Sequence, residues 1–99
     1  MFGEKLKELR EANGLLQRQV AAELEVDTAY ISKMESDGKP VSRNHLKKLA
    51  ILFKVSEEVL LTFWLADKVY GVVKDEEVAI KAVQLAEEVL KITKRKKNK

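Results

Sequence analysis

Three observations predict an all-α protein. Apolar residues recur at three- and four-residue spacing in one segment after another. Only four Gly and one Pro punctuate 99 residues, too few for the frequent turns of a β-sandwich. Apolar residues make up 45% of the chain and charged residues 35%, a balance that suits amphipathic helices around one core.

The elements follow in order. Leu6 and Leu9, with Phe2 one turn earlier, mark a first helix, and Asn13-Gly14 closes it because Gly takes the left-handed conformation freely. Val20, Ala21 and Leu24 give one apolar face to a short second helix starting near Gln17. After Glu25-Val26-Asp27, a third helix runs from about Thr28 to Glu35. Asp27 is its cap, and Ile31 and Met34 form its narrow buried edge. The stretch SDGKPVS is the one clear loop. Ser42 is placed to cap a fourth helix with inner face Leu46, Leu49, Ala50 and Phe53. Ser56 can cap a fifth, with Glu57 and Glu58 at its positive end; it is expected to reach about Tyr70, where Gly71 breaks it. Asp75, Glu76 and Glu77 then open a sixth helix that fades into a basic tail. The expected divisions are residues 1–55, 56–92 and a disordered tail at 93–99.

The net charge of +3 conceals three zones. Residues 1–55 carry +2, residues 56–90 carry −5, and KITKRKKNK carries +6. Such a terminal block reads as a solvated tail. No cysteine is present, which removes disulfides, thiolate metal sites and Cys nucleophiles. The N-terminus is too charged for a secretory signal, and VLLTFWLA is far short of a membrane span. A cytoplasmic protein with no membrane partner is expected.

The second and third helices carry the functional signal. Two short helices joined by about three residues cross steeply, and the contact needs small or apolar side chains at Ala21, Val26 and Ile31. With Gln17 ahead of them, this is the spacing of a DNA-binding helix-turn-helix. Over Leu6–Ser56, the sequence resembles the Cro and phage-repressor type, or XRE-type, helix-turn-helix family. The resemblance rests on Arg10, Gly14, Gln17, Ala21, Val26, Tyr30-Ile31-Ser32, Glu35, Pro40 and Leu49-Ala50 in order. It departs from the family at Leu16, usually Ser or Thr, and at Glu25, usually Gly. A left-handed Glu25 would cost roughly 1 kcal/mol relative to Gly.

The resemblance implies a five-helix lambda-repressor-like domain with an additional C-terminal helix, acting as a transcriptional regulator on double-stranded DNA with a palindromic operator. The third helix would enter the major groove with Thr28, Ala29, Tyr30, Ser32 and Lys33 outward. Lys33 can donate to guanine, Thr28 can bond base or phosphate, and Ala29 can meet a thymine methyl. Tyr30 suits either phosphate contact or packing beside Ile31. Gln17 is placed for phosphate, and Lys39, Ser42, Arg43 and Asn44 for the backbone of the same half-site. Arg43 suits a narrow minor groove equally well. Arg10 and Glu35 are expected as a structural pair between the first and third helices. His45, the sole histidine, has no metal-binding companion and reads as exposed surface, and Ser42 lacks a catalytic set. No enzyme signature, metal or cofactor is indicated.

One reading helix covers one half-site, so a homodimer is expected, with recognition helices roughly 34 Å apart. The fifth helix is apolar on more than one face through Phe63 and Trp64. Val78, Ala82, Leu85, Val89 and Ile92 in the sixth recur at spacings 4, 3, 4 and 3, a short coiled-coil-like seam. The sixth helix suits packing within the chain as well as across a dimer. Members of this size serve as autoregulators or restriction–modification controllers. The alternative is an antitoxin or other interaction module whose C-terminal helices bind a partner protein.

Overall fold

The computed structural model describes residues 1–97, with side chains as far as Arg95. It holds α1 (Phe2–Ala12), α2 (Gln17–Leu24), α3 (Thr28–Glu35), α4 (Leu46–Phe53), α5 (Glu57–Val73) and α6 (Ala79–Lys97). A 3-10 turn, Arg43–His45, precedes α4, and no strand occurs among the described residues. The all-α expectation holds. Two compact units divide the chain, Met1–Asp67 and Lys68–Lys99.

In the first unit a single core gathers residues from every helix. Phe2 and Leu6 of α1 meet Val20, Ala21 and Leu24 of α2 and Ile31 and Met34 of α3. Val41, four residues of α4 (Leu46, Leu49, Ala50, Phe53) and Leu60 of α5 complete it. Ile31, Leu46, Leu49 and Leu60 are essentially removed from solvent, each worth about 1.5–3 kcal/mol in transfer free energy.

Four helices in this unit end in the same motif, in which a left-handed residue turns the chain back over the last carbonyls. After α1 it is Gly14, with the Leu15 N–H donating to the Arg10 carbonyl at 3.1 Å. After α2, α3 and α4 it is Glu25, Asp37 and Lys54, with φ of 58°, 60° and 56°. The matching bonds run from the Val26, Gly38 and Val55 N–H to the Ala21, Lys33 and Ala50 carbonyls. In the Asp37-Gly38 pair, then, the aspartate takes the left-handed conformation.

Three expectations need correction in the C-terminal part. Gly71 lies inside α5, which continues to Val73. A helical Gly costs about 1 kcal/mol but removes no hydrogen bond, and the stop comes at the turn after Val73. Asp75, Glu76 and Glu77 sit in that turn, ahead of the first residue of α6. The tail expected to be disordered from residue 93 is helical through Lys97; Asn98 and Lys99 lie outside the described residues. Among the described residues, no helix is long and apolar enough to cross a membrane.

Candidate nucleic-acid interface

Helices α2 and α3 are joined by Glu25-Val26-Asp27. Ala21 and Ile31 are buried at their crossing and Val26 is half-buried. Asp27 caps α3 as expected, its carboxylate accepting the Tyr30 N–H at 2.8 Å. Leu16, where the sequence lacks a side-chain acceptor, is compensated from one direction only. Its N–H donates to the Gln19 side-chain oxygen at 2.7 Å, one half of a capping box.

The burial of α3 is strictly sided. Ile31 and Met34 face the core, while Thr28, Ala29, Ser32 and Lys33 are exposed. Tyr30 is half-buried, with the Lys39 ammonium 4.9 Å from its ring centroid and the His45 ring edge-on at 6.1 Å. His45 is therefore half-buried against an aromatic rather than the exposed residue expected. Lys39, Ser42, Arg43 and Asn44 are exposed along the loop and the 3-10 turn that follow. Ser42 accepts the Asn44 N–H at 3.3 Å, so it caps the 3-10 turn and not the α-helix itself.

The expected pair holds α3 to α1. Arg10 Nε donates to Glu35 Oε2 at 2.6 Å and Nη2 to Oε1 at 3.2 Å, while Nη1 donates to the Leu15 carbonyl at 2.8 Å. Arg10 and Glu35 are both well shielded. Hydrogen bonding to Glu35 raises the Arg10 pKa against the opposing pull of burial, so the guanidinium stays charged. Gln17, expected at a phosphate, joins this cluster by donating its amide N–H to Glu35 Oε1 at 3.0 Å. One amide hydrogen of Gln17 is left for another acceptor.

Two further positioning contacts were not foreseen in the sequence. The Asp37 carboxylate accepts the Gly3 N–H at 2.9 Å and the Met1 ammonium at 2.7 Å, tying the start of α1 to the end of α3. A Cβ at Gly3 would stand 2.5 Å from the Met34 carbonyl oxygen and 2.6 Å from that of Glu35. Only glycine permits this approach. Trp64 donates its indole N–H to the Val41 carbonyl at 2.7 Å, and the Arg43 guanidinium lies 6.0 Å from its ring centroid. Trp64 thereby steadies the loop bearing the expected backbone contacts. Phe63 and Trp64, expected at a dimer surface, are half-buried and pack on the core of their own chain.

The other expected dimer residues, Val78, Ala82, Leu85 and Val89, are exposed within the chain. Together, the first unit presents one exposed helix face flanked by Lys33, Lys39 and Arg43. A family model described as helix-turn-helix matches residues 6–60, more than half of the chain. Comparison with curated proteins and with solved structures finds no match.

Proposed function

Because the chain belongs to the helix-turn-helix family of the Cro and phage-repressor type, a family of DNA-binding regulators, we propose that it is a sequence-specific regulator that binds an inverted-repeat operator as a homodimer. The observation that carries this reading is the sided burial of α3. A helix fixed through Arg10 and Glu35 turns Thr28, Ala29, Ser32 and Lys33 outward, side chains able to read base edges. Lys33 donates to guanine, and Ala29 fits a thymine methyl. Tyr30 contributes its hydroxyl at the edge of the contact. Gln17, Lys39, Ser42, Arg43 and Asn44 bond phosphates, which fix register without reading sequence.

Dimerisation through Val78, Ala82, Leu85 and Val89, with the outer edges of Phe63 and Trp64, would supply the second half-site. A dimer that forms as the protein accumulates suits autoregulation, including control of a restriction–modification pair. The exposed apolar residues of α6 also favour a second reading, an antitoxin-like module bound to a different protein. Isolation of a stable heterocomplex in place of a homodimer would establish that alternative.

Substitution of Lys33→Ala, followed by gel shifts on operator variants, tests the reading. The expected result is relaxed discrimination at one base pair by about 1–3 kcal/mol. An equal loss of affinity on every sequence would show that Lys33 contacts only the backbone.

A further inference from the structure

We propose that two copies of this chain pair through α6 with the helices antiparallel, Lys81 of each copy facing Glu88 of the other. This rests on the homodimer reading and specifies its surface, orientation and register. Val78, whose carbonyl accepts the Ala82 N–H at 2.9 Å, begins a stripe with Ala82, Leu85, Val89 and the exposed Ile92 at coiled-coil spacing. Within one chain the stripe is open to solvent: Val78, Leu85 and Val89 are 56%, 63% and 53% exposed.

Side-chain volume selects the direction. A parallel pair in register would set Ala82 against Ala82 and Leu85 against Leu85, alternating a gap with a bulge. An antiparallel pair sets Val78 against Val89 and Ala82 against Leu85, with the same layers repeated by the two-fold axis. Small then meets large in the central layers. The other antiparallel register, Ala82 against Ile92 and Leu85 against Val89, would set Glu88 against Glu88 and Lys81 against Arg95.

Charge selects the same direction. Lys81 and Glu88 lie on one flank of the stripe, and Ala79 and Ala86 lie on the other. An antiparallel two-fold joins like flanks, so Lys81 meets Glu88 twice and the alanine flanks approach closely. A parallel pair joins opposite flanks, setting Lys81 against Ala86 and Glu88 against Thr93, with no ion pair. Glu87 is engaged with Lys91 inside the helix at 3.5 Å, whereas Lys81 and Glu88 form no ion pair among the described residues.

The chain has no cysteine, so introduced thiols report the pairing without background. Val78→Cys and Val89→Cys variants of the full chain would be oxidised separately and as an equal mixture. The expected result is a disulfide-linked dimer in the mixture alone, because two copies of residue 78 would stand eleven residues, about 16 Å, apart along the axis. Cross-linking of each variant with itself would mean a parallel pair and overturn the proposal. In a second arm, Glu88→Lys should weaken the dimer roughly tenfold, and Lys81→Glu with Glu88→Lys should restore it. Failure of the double variant to restore pairing would also count against it. A sedimenting dimer that no combination cross-links would overturn the α6 surface and leave the homodimer reading standing. A monomer at every concentration would overturn both. Circular dichroism of each variant, matching the parent, separates lost pairing from lost fold.

Discussion

Glu25, Asp37 and Lys54 hold a backbone conformation that costs an L-residue with a Cβ about 1 kcal/mol relative to glycine. Asp37 and Glu25 differ in what offsets that strain. Asp37 uses its carboxylate, which accepts the Gly3 N–H and the Met1 ammonium. Among the described residues, Glu25 makes no side-chain hydrogen bond or ion pair. Glu25→Gly is therefore expected to stabilise the protein by about 1 kcal/mol, read as a rise in urea midpoint at unchanged slope. A fall would show that the glutamate side chain contributes something the backbone argument leaves out. The Gly14 and Glu25 turns were legible in the sequence because short loops left them little alternative. The Asp37 turn was not, because Gly38 stands beside it and glycine is the usual occupant of such a position.

Helix α3 and the loop that follows it are positioned by contacts that come from three other elements. Arg10 of α1 and Gln17 of α2 converge on Glu35, Asp37 clasps Gly3, and Trp64 of α5 holds the Val41 carbonyl. The Arg10–Glu35 pair was anticipated from the family resemblance. The Asp37 and Trp64 contacts join residues 34 and 23 positions apart, and no local pattern announces such a meeting. Helix limits were legible where caps and glycines coincide, as from α1 to α3, and misread at Gly71, where no cap or proline supports a stop. The clasp also predicts an acid response. Burial pushes the Asp37 pKa up, but hydrogen bonds from the Met1 ammonium and the Gly3 N–H outweigh it and hold the carboxyl below its ordinary value of 3.8. A carboxyl depressed on folding stabilises the native state above its unfolded pKa, and this is lost as pH falls through the folded value. Acid titration of urea stability should thus fall less steeply below the ordinary carboxylate range in Asp37→Asn than in the parent. Identical slopes would mean that the carboxylate is not ionised in the clasp.

The whole chain divides into two compact units. Met1–Asp67 contains the core and the outward face of α3, and the unit from Lys68 onward leaves most of its apolar residues exposed. The net charge of +3 therefore describes neither. A sequence-specific reader should depend on the face of α3 more than on general basicity, and a dimer should impose its symmetry on the DNA it selects. Selection from a random duplex pool with the purified full chain tests that claim most directly. The expected result is enrichment of an inverted repeat with half-site centres about 10 base pairs apart, one helical turn. Recovery of no preferred sequence would contradict it.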